Sequence, residues 1–466
     1  MKINQCEHQL FVDDALIEYS NNLQRRYWSP ERAGVVLEPD KPWEQRCLIL
    51  YGSVIKDPVT GNFKMWYSSF CGKRNLGRDI LYAESTDGFH WHKPNLGLVK
   101  FKDSLNNNIV IPAEHPYHPD GASVIYDTVD KKKSRLYKMV SCRTDNKGKN
   151  HIWANFSADG IRWQGWNGPI LFGYGDRNTL MFDPSLEKPY VIFTRPPDMM
   201  KNFGKRIVVR LDSKDFIRWT QSQTILKPDL DDPLDLQFYC LVAFKYHSMY
   251  LGFLQRLHSE EDRLDIELVS SRDSITWHRS DLRTAFMESN FEKSIDSRWI
   301  GLASNPPIVI NNYLLFFYEA RNACHGLSGS FLLPSGLIGV ATMPEDGFVS
   351  LSSGFVPAEI VTKSFVCPGG VLKLRVNAVN HLGHTETCGI IAGGTRLEIL
   401  TENHSPIPGY SLKECKTITG NFRTGVAVEW KKKKELNALK GQKIRLRFNL
   451  IHSDLYSFWF DECSKT

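Results

Sequence analysis

Short apolar segments alternate with polar turns along most of the chain, and one turn motif recurs among them. The motif reads Ser-x-Asp-Gly-x-Trp or a close variant, and its aromatic anchors are separated by 72, 56, 58 and 71 residues. An apolar segment of β-rich composition precedes each copy, which predicts a strand there. The copies are Ser85–Trp91, Ser157–Trp163, Asp212–Trp219, Ser271–Trp277 and the degraded Pro344–Phe348. The preceding strands are predicted at Lys64–Ser69, Tyr137–Cys142, Tyr190–Arg195, Tyr250–Gln255 and Leu314–Ala320.

The repeating unit contains four predicted strands. Another strand precedes each of those segments, and in the first three units it ends in an aspartate turn at Asp57, Asp127 or Asp183. The order strand, turn, strand, loop, strand, Asp-Gly turn, strand therefore occurs five times, which predicts an all-β five-bladed propeller. The aspartate of the recurring motif is interpreted as structural, because a tight hairpin turn favours residues that tolerate positive φ.

The pattern changes near residue 355. Alternating segments at Val371–Val376, Arg396–Leu400, Val426–Trp430 and Ile444–Leu450 are separated by Gly, Pro and Lys turns and lack the motif. This pattern is typical of a β-sandwich. We therefore predict a propeller catalytic domain at 1–355 and a C-terminal β-sandwich domain at 356–466.

Composition narrows the function. The 466 residues carry a net charge of +6 that is not gathered into a basic arm, so nucleic acid is an unfavoured partner. The polar start and the short apolar runs predict no signal peptide and no membrane span, hence a cytoplasmic protein. The 10 cysteines form no C-x-x-C pair and the histidines no metal-spaced pair, so we predict free thiols, no metal site and no cofactor.

Propeller topology locates the candidate site. The entrance of each innermost strand and the loop between the second and third strands lie on one face of the central channel. Three aspartates fall at predicted innermost-strand entrances, namely Asp120, Asp176 and Asp235. The first two are equivalent in register, since Asp120 precedes the Asp127 turn by seven residues and Asp176 precedes the Asp183 turn by seven. Glycosidic cleavage needs an acid and a second carboxylate, so these three are the predicted catalytic set.

Other side chains on the same face suit carbohydrate. Carboxylates accept hydrogen bonds from hydroxyls, aromatic faces stack on sugar rings, and arginines bind carboxylate or phosphate groups. An oligosaccharide is therefore the predicted partner, while the oligomeric state is not predicted. The candidate substrate-binding residues are Trp43, Glu44, Arg74, Arg143, Arg177, Arg195, Arg256, Glu319, Arg321 and His325.

The same residues leave alternatives open. Each aspartate could instead cap its strand or pair with an arginine, as Asp176 could with Arg177. The chain could be a non-catalytic sugar-binding propeller. It could also be a phosphorylase in which arginines such as Arg74, Arg143 and Arg195 hold inorganic phosphate.

The architecture resembles the five-bladed glycoside hydrolases of families 43, 32 and 68, and more loosely the mannoside phosphorylases of family 130. Gly175–Phe182 is similar to the Arg-Asp-Pro strand that carries the middle aspartate of family 32, and His118–Gly121 resembles the second-blade aspartate segment of family 43. Asp235–Cys240 occupies the place of a Glu-Cys acid, with Asp for Glu. The first-blade aspartate of those families has no counterpart in Tyr51–Ile55, which favours the binding-protein alternative.

Overall fold

The computed structural model describes residues 2–44, 47–69, 78–113, 119–145, 147–289, 296–323, 336–378, 393–431 and 433–462. The chain forms two compact units. One comprises Pro30–Ile308 and Leu315–Thr342, and the other comprises Met1–Ser29, Val309–Leu314 and Met343–Thr466. The N-terminal segment thus groups with the unit that holds the predicted sandwich, although the sequence analysis placed it in the propeller range 1–355.

Three antiparallel sheets follow one another in the first unit, and each runs strand by strand in chain order. The first also carries a short fifth strand that pairs with its third. All three have the order of strands and turns that the repeat predicted. The first sheet contains Leu48–Lys56, Phe63–Ser69, Ile80–Ser85, Trp91–His92 and Ile109–Ile111. The second contains Pro119–Tyr126, Tyr137–Thr144, Asn150–Ser157 and Gln164–Phe172. The third contains Thr179–Phe182, Tyr190–Thr194, Val208–Ser213 and Gln223–Leu226.

The predicted fourth and fifth blades are joined into a ten-stranded sheet. The joint is a parallel pairing of Leu264 with Trp299. At the far edge, Glu31–Leu37 from the N-terminal part of the chain pairs antiparallel with Gly336–Pro344. The strands along the sheet are Leu236–Tyr246, Met249–His258, Arg263–Ser271, Trp299–Leu302, Tyr313–Arg321, Gly336–Pro344 and Glu31–Leu37. Trp277–Arg279, Ala285–Met287 and Ile308–Ile310 pair alongside this path.

The recurring aspartate motif is used locally, as interpreted from the sequence. Oγ of Ser85 donates to Oδ1 of Asp87 at 3.0 Å, and the same oxygen accepts the backbone N–H groups of Phe89 and His90 at 2.8 Å. Gly88 has a positive φ of 83° in this turn. The equivalent residues of two later copies, Phe216 and Ser274, also have positive φ, at 69° and 61°. The equivalent serine–aspartate bonds join Ser157 to Asp159, Ser213 to Asp215 and Ser271 to Asp273.

The innermost strands end around a shared cavity of about 400 Å³. Each of the three four- and five-stranded sheets contributes one lining segment, and the ten-stranded sheet with its adjoining loop contributes two. The strands therefore surround a common axis. The all-β propeller class is thereby confirmed, and the count of five blades stays a prediction. The lining segments are 54–56, 124–126, 180–182, 243–245 and 305–308.

The second unit contains the predicted sandwich. Its two sheets share one apolar core, in which Phe11, Leu397, Phe448 and Phe458 are fully buried. The predicted strand at Val426–Trp430 is displaced, because the strand there is Gly420–Ala427 and Trp430 is buried beyond its end. One sheet contains Ile17–Asn21, Ala358–Thr362, Phe365–Val366, Gly394–Thr401 and Lys443–Ile451. The other contains Gln9–Leu10, Leu23–Tyr27, Val349–Ser353, Val371–Ala378, Gly420–Ala427 and Asp454–Asp461.

Helix is sparse among the described residues. They include the α-helix Met199–Phe203 and the 3₁₀ turns Lys133–Arg135 and Asn437–Leu439. In this part of the chain there is no helix with the length and hydropathy that crossing a membrane requires.

Candidate active site

A pair of buried tyrosines lies where the innermost strands of the first sheet and the ten-stranded sheet face each other. The hydroxyls of Tyr51 and Tyr239 are 2.7 Å apart and share a hydrogen bond. Burial raises the pKa of Tyr51 well above its usual value, so the phenol stays neutral. Guanidinium groups cover the rings, with Arg177 4.7 Å from the Tyr51 ring centre and Arg195 5.1 Å from that of Tyr239.

Asp120 enters this region at the start of the innermost strand of the second sheet. Its Oδ1 lies 2.5 Å from Nη1 of Arg78, and its side chain is 17% exposed. The ladder is irregular between Asp120 and Ser123, where Gly121 takes a φ of 74°. A Cβ on Gly121 would lie 3.3 Å from the Tyr51 carbonyl oxygen, so glycine lets the strand entrance approach the tyrosine pair.

Asp176 lies in the segment preceding the innermost strand of the third sheet. Its Oδ1 is ion-paired with Nη2 of Arg195, and its side chain is 36% exposed while that of Arg195 is 6% exposed. The backbone also ties the two residues together, because the N–H of Gly175 donates to the Arg195 carbonyl at 3.1 Å. A Cβ on Gly121 would come within 3.7 Å of the Asp176 carbonyl oxygen. The entrances that carry Asp120 and Asp176 are therefore adjacent.

Asp235 precedes the innermost strand of the ten-stranded sheet, as predicted, and caps the loop beside it. Its Oδ2 accepts the backbone N–H of Glu260 at 3.2 Å, and its carbonyl accepts the hydroxyl of Ser259 at 2.6 Å. These bonds hold the carboxylate to the loop between the second and third strands. Asp235 thus lies at the same kind of entrance as the other two aspartates, with a backbone amide as its partner.

Glu319 and Arg321 form a buried ion pair next to the tyrosines. Oε1 of Glu319 accepts a bond from Nη2 of Arg321, and its Oε2 accepts the backbone N–H of Leu50 at 2.7 Å. The guanidinium of Arg321 lies 4.6 Å from the Trp299 ring centre. Both side chains are almost completely buried, so they support the floor of the site.

Arg177 is also fully buried, and it connects two sheets. Its guanidinium donates to Oγ of Ser304 at 2.5 Å and to the Leu302 carbonyl at 2.7 Å. These partners are neutral, and the pairing with Asp176 considered in the sequence analysis is not the one that forms. Asp176 pairs with Arg195 instead.

Two further candidates in the first predicted blade are held by structural contacts. Oε1 of Glu44 accepts the Tyr67 hydroxyl at 2.5 Å, and its Oε2 accepts the ammonium of Lys93 at 2.7 Å. Glu44 is fully buried. Nε1 of Trp43 donates to Oδ1 of Asn108 at 2.6 Å. A role for Trp43 and Glu44 in binding substrate stays a prediction.

The remaining candidates divide between charge networks and residues that the structure does not describe. Arg256 binds Asp265 in a two-pronged ion pair with bonds of 2.7 and 3.0 Å. The guanidinium of Arg143 lies 5.0 Å from the Trp153 ring centre. Arg74 and His325 lie outside the described residues. Their predicted roles, and that of Arg143, remain predictions.

Four contributors were not predicted from the sequence, namely Tyr51, Tyr239, Arg78 and Arg206. The two tyrosines lie on predicted innermost strands, and the two arginines lie on loops between second and third strands, where candidates were sought. Arg206 donates to Oε1 of Gln237 at 2.5 Å, and its guanidinium lies 5.7 Å from the Tyr239 ring centre. Burial and the nearby charge of Arg195 lower the pKa of Arg206.

The arrangement has the chemistry of a polar binding site. It offers the partly exposed carboxylates of Asp120 and Asp176, phenol groups and several guanidinium groups. Among the residues that the structure describes, no group of three His, Cys, Asp or Glu ligand atoms at metal-binding spacing lies here.

Comparison with known proteins shows likeness in structure. Neither the family models nor the curated proteins include one whose sequence matches the chain. A solved structure of a complex of BT0996 with RGII superimposes with a TM-score of 0.51 at 14% identity, over 69% of this chain and 93% of that one. A second, described as "Glycoside hydrolase", gives a TM-score of 0.51 at 14% identity, over 68% and 94% of the two chains. The chain therefore has the fold of these propeller structures, and the resemblance in architecture seen in the sequence is confirmed.

Proposed function

We propose that the protein is a glycoside hydrolase that cleaves an oligosaccharide at the face of the propeller channel. The observation that carries the proposal is the placement of Asp120 and Asp176 at adjacent strand entrances, each partly exposed and each paired with an arginine. Glycosidic cleavage needs two carboxyl groups on opposite sides of one bond, and adjacent entrances can supply them.

The three aspartates have different neighbours. Asp120 and Asp176 are paired with Arg78 and Arg195, whereas Asp235 accepts a hydrogen bond from a backbone amide. In our proposal two of the three aspartates supply the acid and the second carboxylate, and the third orients them.

The fold adds independent support for a carbohydrate substrate. One of the structures that share it is described as a glycoside hydrolase, and the other as a complex with RGII. Fold alone does not determine function, so the proposal depends on the site residues. Tyrosine and arginine side chains beside the aspartates offer the hydrogen bonds that sugar hydroxyls need.

The test is activity of single variants on a panel of aryl glycosides and natural oligosaccharides. Asp120→Asn and Asp176→Asn are each expected to lower the rate by about a hundredfold or more, measured at a temperature where each variant is folded, because Asp176→Asn also leaves the buried Arg195 without its ion-pair partner. Asp103→Asn is the matched control, because the side chain of Asp103 is fully exposed and lies 3.8 Å from the exposed Lys100 rather than beside a site arginine. Full activity in both site variants would overturn the proposal.

The panel also separates the two alternative functions. A phosphorylase requires inorganic phosphate for turnover, so equal rates with and without phosphate identify hydrolysis. A binding protein shows thermal stabilisation by a glycan but releases no product from any substrate. Turnover that requires phosphate would identify a phosphorylase, and glycan binding without any released product would identify a binding protein.

A further inference from the structure

Arg206 differs from the other arginines around the tyrosine pair. It is partly buried, and it donates one hydrogen bond to the neutral side chain of Gln237. Its Nε is buried and has no hydrogen-bond partner among the described residues, a feature that it shares with Arg195. It also forms no ion pair with the carboxylates that the structure describes, although its neighbour Arg195 pairs with Asp176.

Among the described residues, Arg206 has no carboxylate within ion-pairing distance, and Asp262 acts on it only from farther away. Three arginines are each balanced by one carboxylate, in the pairs Arg78–Asp120, Arg195–Asp176 and Arg321–Glu319. Arg177 is unbalanced, but it is fully buried and bonded to Ser304 and Leu302, so a ligand does not reach it. Of these five described arginines, Arg206 is therefore the one that lacks a paired carboxylate and is not fully buried.

A partly buried cation without a directly paired carboxylate is costly, and a bound anion lowers that cost. We infer that Arg206 binds a carboxylate of the substrate, so that the site takes an acidic oligosaccharide containing a uronic acid residue. This inference rests on the proposed function and names its substrate class. The fork of N–H groups on an arginine matches the planar carboxylate.

A single negative charge fits the site better than a phosphate dianion. Asp176 is paired with Arg195, the neighbour of Arg206, and its carboxylate repels further negative charge. One accessible guanidinium balances one carboxylate, whereas inorganic phosphate carries between one and two charges near neutral pH. The polar partner Gln237 keeps Arg206 in place without neutralising it.

The first arm of the test measures binding by thermal shift, with D-glucuronic and D-galacturonic acid compared with D-glucose, D-galactose and inorganic phosphate. We expect stabilisation by the two acids, weakened by added salt, and little effect of the neutral sugars. Arg206→Gln is expected to abolish the shift. Arg218→Gln, which removes an exposed arginine from the opposite end of the same sheet, is expected to keep it.

The second arm measures turnover of aryl uronides against the matching neutral aryl glycosides. For Arg206→Gln we expect KM for the uronide to rise about tenfold to a hundredfold with kcat nearly unchanged, because a charge-assisted hydrogen bond is lost from binding. Arg206→Lys keeps the charge, so its KM for the uronide is expected to lie between the values of the unchanged protein and of Arg206→Gln. If Arg206→Gln has a lowered melting temperature, the KM values of Arg206→Lys and the unchanged protein are compared instead.

The outcomes separate this inference from the proposed function. Cleavage of neutral glycosides with no response to uronic acids overturns the inference and leaves the hydrolase intact. Binding of uronic acids through Arg206 without cleavage of any glycan overturns the hydrolase and supports the acidic-ligand site. A thermal shift with inorganic phosphate alone overturns the acidic-sugar assignment.

Discussion

The hydroxyl of Tyr137 donates a hydrogen bond of 2.7 Å to Oδ2 of Asp57, joining the second sheet to the first. Asp57 closes the turn between the first two strands of its own sheet, where its Oδ1 accepts the backbone N–H of Val59 at 2.8 Å. One carboxylate therefore fixes a turn within one sheet and the position of the next sheet. The same relationship joins Asp127 to Tyr190 and Asp183 to Tyr250.

Tyr137→Phe tests how much this connection stabilises the protein. The change removes the bond to Asp57 and the 3.1 Å bond that Nζ of Lys64 donates to the same hydroxyl, and it keeps the ring. We therefore expect a loss of about 1.5–3 kcal/mol in the free energy of unfolding. Urea denaturation measures the loss. Tyr174→Phe is the control, because the hydroxyl of Tyr174 makes no hydrogen bond among the described residues. Equal stability of the two variants would show that the bond contributes nothing.

Acid should release the same connection. Burial raises the pKa of Asp57, but the bonds from Lys64 and Tyr137 outweigh this and lower it to about 2. An unfolded aspartate binds its proton near pH 3.8, so between about pH 4 and pH 2 the unfolded chain takes up more protons than the folded one. This contribution to stability is complete above pH 4 and is lost as the pH falls towards 2.

Measurement of unfolding free energy between pH 5 and pH 2 checks this expectation, with Asp57→Asn as the comparison. The variant lacks the titrating group, so its stability should fall less steeply over this interval. The shifts of Asp127 and Asp183 have the same direction and add to the slope in both proteins. Parallel curves for the two proteins would contradict the assignment.

Gly121→Ala should disturb the candidate site more than the fold. The position has a φ of 74°, and the added Cβ would lie 3.3 Å from the Tyr51 carbonyl oxygen, next to Asp120. We expect a loss of about 1–2 kcal/mol from backbone strain and, in addition, a fall in turnover as Asp120 is displaced. Gly97→Ala is the control, since Gly97 has a φ of 70° with open space around it. A similar rate in both variants would separate Gly121 from the site.

The strands could be predicted because each carries its own signal. Apolar segments such as Lys64–Ser69 and the turn beginning at Ser85 are local patterns, and the structure has a strand and a turn there. The pairing of Glu31–Leu37 with Gly336–Pro344 carries no such signal, because it joins strands that are distant in sequence. The displaced strand near Trp430 shows that an apolar pattern also marks core burial without a strand.

The candidate site was predictable in position but not in its partners. Topology placed Asp120 and Asp176 at strand entrances, where the structure has them. Which arginine pairs with each aspartate depends on the path of loops of unequal length, so Asp176 meets Arg195 rather than its neighbour Arg177. Tyr51 and Tyr239 were missed because candidates were sought at strand entrances and on loops, whereas both tyrosines lie within strands.

Arg256, a predicted substrate-binding residue, belongs to a buried charge network around Asp265. The side chain of Asp265 is 3% exposed and forms ion pairs with Arg256, Arg263 and His258. Burial raises the pKa of Asp265, but His258 and Arg256 outweigh this and lower it, so the carboxylate remains charged. Removal of one partner from such a group leaves charges buried without compensation.

Asp265→Asn is therefore expected to cost about 3–5 kcal/mol of unfolding free energy. If Arg256 serves the network alone, Arg256→Met should also lower the melting temperature, with KM unchanged at a temperature where the variant is folded. Asp231→Asn provides the control, because Asp231 is 84% exposed and lies 3.8 Å from Arg283 at the edge of the charged region. A raised KM in Arg256→Met with undiminished stability would instead place Arg256 in the substrate site, as the sequence analysis predicted.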